Sequence, residues 1–420
     1  MLIKKLKQIL SGQFIRNVGW MGGAELANRI FRLATTVTLA RTFSSQDYGL
    51  AAIIYTTYEF ANIFTLKGGI GAKIIQADEQ DVNVICDTSY WLNWMLCGAI
   101  FLIQCIAAFP IAWFYQNNQL ILPLCTISLT YLMLPNFMVQ SAIIQRENRL
   151  RITASCNVIQ SLLGNTITVI LALLGMGIWA VVWPILLTTP VWIIIIYKNH
   201  PWRPPKCFKL EKWQEITNFG KNLLGVELMV KLRSNIDYLI IGRFLGLEAL
   251  GIYYFAFSAG VGITWNVMNS FFAALFPHLC EVRGNSNELK RRFFNSIKMI
   301  LATTGAIILL QSFLAPFYVP IIFGQKWISA IPVLIIICLS VLPEPLFWGG
   351  SVLLNVIDKS QITLYLEVVF TIIFTISILI SVKWGILGVA VGVLASQMLV
   401  IPVVIPILQK HLKKSSVLSS

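Results

Sequence analysis

The sequence predicts an all-α integral membrane protein with about twelve transmembrane helices in two parallel six-helix halves. Three observations predict it. Of the 420 residues, 57% are hydrophobic and only 12% charged, with a mean hydropathy of +0.76, against about 25% charged residues in a soluble globular protein. Stretches such as 152–174, 301–323 and 363–382 carry at most one charge each, and about 20 apolar residues are what a helix needs to cross the hydrocarbon core. Displaced by 202 residues, part of the first half realigns on the second.

Apolar blocks and turn signals place the spans at 15–41, 48–66, 88–114, 119–144, 152–174, 177–198, 214–245, 248–276, 297–323, 328–354, 360–382 and 386–409. The leading MLIKKLKQILSGQF is basic and partly apolar but has no long apolar core ending in a small-residue cleavage site, so it is expected to be retained. It reads equally as an interfacial amphipathic helix or a frayed cytoplasmic tail. Of the 32 Lys and Arg, 24 fall at the two termini and in the loops after even-numbered spans, and only Arg41, Arg243, Lys326 and Lys383 fall on the other side. Positive residues stay on the cytoplasmic side, so both termini are expected there. The net charge of +14 therefore reports topology and not a nucleic-acid footprint, and the basic loops favour anionic lipid heads.

The longest hydrophilic break, NHPWRPPKCFKLEKW at 199–213, divides the chain into an N-terminal lobe (1–198), a cytoplasmic linker (199–213) and a C-terminal lobe (214–420). Six spans per lobe would insert both lobes with the same orientation, as in transporters with parallel repeats. The 202-residue shift lays GGAELANR over LGVELMVK and ARTFSSQDYGLA over GRFLGLEALGIY. The identities include Gly23/Gly225, Glu25/Glu227, Arg41/Arg243 and Gly49/Gly251, and Arg29 overlies Lys231.

Charges inside membrane helices are rare, because one at the helix centre costs about 2.5–3.5 kcal/mol on insertion scales and normally faces a bundle interior or a wet cavity. Span 1 carries Glu25, Arg29 and Arg32; span 7 carries Glu227, Lys231, Arg233 and Asp237. At 100° per residue the span 1 trio falls within about 60° of arc, and Glu227, Lys231, Ser234 and Tyr238 repeat the stripe on span 7. One reading pairs Glu25 with Arg29 and Glu227 with Lys231 as i,i+4 bridges, or lets end residues snorkel. The other, which accounts for the extra Arg32, is a cationic cavity suited to an anionic group such as a diphosphate. Arg233 and Asp237 form a further i,i+4 pair, read either as a bridge fixing span 7 or as a proton or sodium site. Glu59, Glu344 and Glu367 are lone carboxylates of lower rank. The eight cysteines show no C-x-x-C spacing and the three histidines no cluster, so neither a metal site nor a redox pair is expected.

LARTFSSQDYGLAA, NIDYLIIGRFLGLEALGIYYFAFSA, FPHLCEVRGNSNELKRRFFNSI, FGQKWISAIPVL and WGILGVAVG resemble the polysaccharide transporter family. These are the O-antigen and exopolysaccharide flippases of the multidrug/oligosaccharidyl-lipid/polysaccharide exporter superfamily. The resemblance covers nearly the whole chain. It implies two six-helix lobes around a central cavity lined mainly by spans 1, 2, 7 and 8, and alternating-access transport of undecaprenyl-diphosphate-linked oligosaccharide across the bacterial inner membrane. It implies Arg29, Arg32 and Lys231 as diphosphate ligands, and Asp237 as the ligand of a coupling H+ or Na+. No other cofactor is expected, and the implied partners are membrane lipids, polysaccharide polymerase and glycosyltransferases. A multidrug exporter of the same superfamily is the first alternative, though its cavity should be acidic. A membrane oligosaccharide polymerase or ligase is the second, but the extracytoplasmic loops are short and no nucleophile–base pair is evident, so an enzyme is not expected.

Overall fold

The computed structural model describes residues 31–282, 285–357 and 359–417. Among these the regular structure is entirely helical. The α-helices are α1 (31–42), α2 (Ser45–Ile63), α3 (Lys67–Gln76), α4 (Val82–Phe114), α5 (Ile121–Met133), α6 (Pro135–Arg146), α7 (Leu150–Leu173) and α8 (Trp179–Asn199). After the linker come α9 (Trp213–Phe244), α10 (Gly246–Cys280), α11 (Ser286–Tyr318), α12 (Ile331–Ser340), α13 (Glu344–Val356), α14 (Ser360–Ser381), α15 (Gly385–Met398) and α16 (Val400–Val417).

Each expected span from the second to the twelfth coincides with helix, and of the first only its end from residue 31 lies among the described residues. Among the described residues six segments are long and apolar enough to cross a membrane, and eight when each of two bent pairs is taken as one span. One of the six, Gln361–Leu408, is 48 residues long and covers both the eleventh and twelfth expected spans. The pairs bend by 50° between Met133 and Pro135 and by 49° between Gly262 and Thr264, at a proline and beside a glycine, the usual causes of a helix break. Pro184 and Pro190 lie inside the continuous α8, whereas Pro332 and Pro345 sit in the first turns of α12 and α13. There the missing N–H would have had no helical partner in any case. α2 and α9 are less apolar than these segments. Both are long, but α9 carries Glu227, Lys231, Arg233 and Asp237 in its interior.

The described chain divides into two compact units. The first comprises the described part of Met1–Phe43 with Thr57–Leu224; the second comprises Ser44–Thr56 with the described part of Gly225–Ser420. In the first, buried Tyr131 of α5 places its hydroxyl 3.0 Å from the Tyr58 carbonyl and 3.1 Å from Gln104 Oε1, so an apolar bundle is pinned by a polar group with its partners in place. Residues 199–213 pack on this unit: Trp91 donates to the Cys207 carbonyl at 2.9 Å, Thr88 to the Glu211 carbonyl at 2.7 Å, and Phe208 lies edge-on to Trp91. Arg146 donates to the carbonyls of Ile74, Ile75 and Ala77 at the C-terminal end of α3, where orphan acceptors and the helix dipole favour a cation.

In the second unit Phe255 stacks on Trp327 at 3.9 Å, with Tyr48 of α2 edge-on at 5.0 Å from Trp327. Here α2 and α10 cross at their first turns with backbone against backbone. A Cβ on Gly49 would overlap the Leu247 carbonyl oxygen, and one on Gly251 would overlap that of Ser45. The 202-residue shift pairs Gly49 with Gly251 and Ser45 with Leu247, so the contact is reciprocal between the two repeats and each glycine is required by its counterpart's chain.

Overpacking a tight contact costs about 1–3 kcal/mol. Gly49→Ala and Gly251→Ala are therefore expected to lower the unfolding temperature of the purified protein in detergent, whereas Gly71→Ala, which meets nothing within 4 Å, should not.

Candidate functional site

Glu25 and Arg29 lie outside the described residues. Arg32 is on α1 in the first unit, with its side chain exposed. In the second unit α9 is one continuous helix, so Glu227, Lys231 and Ser234 keep their helical spacing along it. Glu227 and Ser234 are exposed and Lys231 is half-buried. The Ser234 hydroxyl donates back to the Val230 carbonyl at 2.8 Å.

A neighbouring part of α9 forms a polar site of several charged and hydrogen-bonded groups. Arg233, Ser234 and Asp237 line a cavity of about 100 Å³ together with Tyr253 of α10, Ser340 of α12, Glu344 and Trp348 of α13, Glu367 of α14 and Gln397 of α15. The expected Arg233–Asp237 bridge does not form. Arg233 turns to Glu367, 2.7 Å away, with both side chains largely buried, and its guanidinium lies 4.3 Å over the Phe347 ring. Asp237 is 5% exposed and takes its hydrogen bonds elsewhere: the Tyr253 hydroxyl donates to Oδ2 at 2.8 Å and the Tyr238 backbone N–H to Oδ1 at 2.9 Å. A rigid carboxylate with two donors in place needs no guanidinium, whereas Glu367 offers Arg233 a partner across the cavity.

Glu344, also buried, accepts from the Trp348 indole N–H and from Gln397 Nε2 at 2.8 Å. Two of the three carboxylates here thus come from residues the sequence ranks low, and Tyr253, Trp348 and Gln397 were not anticipated at all. The available signal was a lone polar group within an otherwise apolar helix. Glu59 lies on α2, half-buried. All eight cysteines are free thiols. Among the described residues no group of three or more His, Cys, Asp or Glu is placed to hold a metal ion.

The chain has the fold of two-lobed helical membrane transporters. It aligns with the lipid II flippase MurJ, in an inward closed conformation, over 95% of this chain and 90% of that one, with a TM-score of 0.76 and 11% identity. It aligns with an inward-facing multidrug resistance transporter of the MATE family, in the MOP superfamily, over 94% and 96%, with a TM-score of 0.72 and 15% identity. Within that class the chain belongs to the polysaccharide biosynthesis protein family, whose profile matches residues 38–332. Among its relatives are the teichuronic acid biosynthesis protein TuaB of Bacillus subtilis, 25% identical over 83% of this chain and 71% of that protein, and the succinoglycan biosynthesis transport protein ExoT of Rhizobium meliloti, 26% identical over 77% and 65%. The lipopolysaccharide biosynthesis protein WzxC of Escherichia coli is 24% identical over 73% and 62%. The chain is a multi-pass bacterial membrane protein.

Removing one partner of a buried ion pair costs about 3–5 kcal/mol, while replacing both by apolar groups of similar size is close to neutral. Arg233→Met and Glu367→Leu should each sharply lower thermal stability in detergent, and the double variant should recover most of the loss.

Proposed function

We propose that this protein is a flippase that moves an undecaprenyl-diphosphate-linked oligosaccharide across the inner membrane by alternating access, for assembly of a cell-surface polysaccharide such as O-antigen, capsule or exopolysaccharide. The observation that carries this reading is the family match over most of the chain, on a fold shared with a lipid II flippase. The relatives include a succinoglycan transport protein and a lipopolysaccharide biosynthesis protein.

The physical requirements agree with it. A polyprenyl tail remains in the membrane while a charged, sugar-bearing head crosses, so the protein needs polar side chains inside an otherwise apolar bundle, and α9 supplies them. Arg29, Arg32 and Lys231 hold the diphosphate, with Glu25, Glu227 and Ser234 completing the polar faces on which it travels. Guanidinium and ammonium groups suit phosphate oxygens. Both termini lie in the cytoplasm, the lobes meet at the 199–213 linker, and a proton or sodium gradient drives the cycle through Asp237, with Arg233 beside it. The glycan's polymerase and glycosyltransferases are the functional partners, and no catalytic chemistry belongs to this chain.

A multidrug exporter on the same fold is the competing reading. It is disfavoured by the cations along spans 1 and 7 and by the identity of the family relatives.

Deleting the gene should accumulate intact lipid-linked repeat units on the cytoplasmic leaflet, measured by extracting the lipid and testing its accessibility from each side. Unpolymerised units already outside would point to a polymerase. Charge-assisted hydrogen bonds are worth about 1.5–3 kcal/mol, equivalent to about 10–100-fold in affinity. Accordingly, Arg29→Ala, Arg32→Ala and Lys231→Ala should each cut transport by about that factor while reaching the membrane at normal levels. Normal transport by all three would remove the cationic site from the account.

A further inference from the structure

Several cations of the first unit are engaged by oxygen acceptors of the fold. Lys73 pairs with Glu215 at 3.2 Å, Arg149 with Glu147 at 3.1 Å and Lys212 with Asp81, and Arg146 caps α3. Lys67 is different. Its ammonium lies 5.6 Å from the centroid of the Trp192 ring on α8, and among the described residues no carboxylate, carbonyl or hydroxyl oxygen bonds it. An aromatic face attracts a cation through the ring quadrupole but leaves its charge whole.

Both partners are held in place. Leu66 takes a left-handed conformation (φ 52°) and Asn93 Nδ2 donates to the Thr65 carbonyl at 3.2 Å, which fixes the break between α2 and α3 and makes Lys67 the first residue of α3. The Trp192 indole N–H donates to Gln160 Oε1 on α7 at 2.7 Å, and the Phe137 ring of α6 lies 5.4 Å from the indole, tilted by 31°. Gln160 is held in turn by Thr188, 3.4 Å away. The helical rise sets the depth: α3 is 10 residues long, about 15 Å, and Trp192 lies seven residues, about 10 Å, short of the end of α8 at Asn199. Protein surrounds the Lys67 side chain, yet it keeps an exposed surface, so it stands in a recess of the unit. A charge at such a depth is tolerated where water or a counter-charge reaches it.

We propose that this recess is a phosphate-binding site, in which Lys67 takes the diphosphate of the lipid-linked substrate and Trp192 holds the ammonium while the site is empty. The inference deepens the transport reading, which does not use Lys67, and rests on it for the identity of the ligand. The complement of an ammonium with no counter-charge is an oxyanion, and the diphosphate is the charged part of a lipid-linked glycan. Three rotatable donors on a flexible stem meet phosphate oxygens from many directions, which suits a head that moves past them. A cation–π contact is weaker than a charge-assisted hydrogen bond. The ring therefore yields the ammonium when the head arrives and takes it back when the head leaves.

The test is equilibrium binding of undecaprenyl diphosphate without sugars, and of uncharged undecaprenol, to the purified full-length protein in detergent. Lys67→Gln should weaken binding of the diphosphate by about 10–100-fold, the range for losing one charge-assisted hydrogen bond, and leave undecaprenol binding and the unfolding temperature unchanged. Lys67→Arg should restore most of the affinity. Trp192→Leu, which removes only the resting partner, should keep or raise it. Wild-type diphosphate affinity in Lys67→Gln overturns the proposal, as does an equal loss of undecaprenol binding, or a fall in Trp192→Leu as large as that in Lys67→Gln. A loss confined to the glycan-bearing lipid places the anion on the sugar and overturns the assignment to the diphosphate. Lys67-dependent diphosphate binding by a protein that moves no lipid-linked glycan would count against the flippase reading alone.

Discussion

A charged group inside a hydrocarbon-facing bundle has to be paired or hydrogen-bonded, and in the second unit this requirement organises the packing around α9. Arg233 reaches across to Glu367 on α14, and Asp237 is held by Tyr253 on α10. On α13 Glu344 is held by Trp348 of the same helix and by Gln397 of α15. Each polar group therefore ties one helix to another, and helices whose apolar faces would otherwise slide freely are fixed in register by a few directional bonds. The same groups enclose a small polar cavity, so one set of contacts supplies both the unit's specificity of packing and its chemistry.

The crossing of α2 and α10 works through shape. Glycines at Gly49 and Gly251 let two backbones touch, and the carbonyls they meet belong to Ser45 and Leu247. Because these four residues are related by the 202-residue shift, the contact is a self-complementary one. Around it Tyr48, Phe255 and Trp327 bury their rings, so a close backbone approach with little side-chain area of its own is surrounded by apolar area.

Much of the fold was legible in the sequence because membrane spans announce themselves by length and apolarity. α2 and α9 were placed by apolar blocks and turn signals despite the polar residues that dilute their hydropathy. The repeat also singled out Gly49 and Gly251 before any contact was known. The site was legible in part. Arg233 and Asp237 were marked as intramembrane charges, but spacing alone offered them each other as partners. The actual partner of Arg233 is 134 positions away, and no local pattern connects the two. Tyr253 and Gln397 were invisible for a related reason: a neutral polar residue in an apolar helix is ordinary until its partner is seen. Of the stripe assigned to the substrate, Glu25 and Arg29 fall outside the described residues, while Arg32 and Lys231 lie on helices of different units.

A polar lipid head carried through this bundle leaves one leaflet and appears in the other. The most direct measurement is reconstitution of the purified protein into liposomes containing a polyprenyl-diphosphate-linked oligosaccharide, with an impermeant glycosidase outside to report which leaflet holds the sugar. Inner-leaflet substrate is expected to become cleavable only when protein is present, and faster when a proton or sodium gradient is imposed. Substrate that stays inside with the folded protein present, gradient or not, would contradict it.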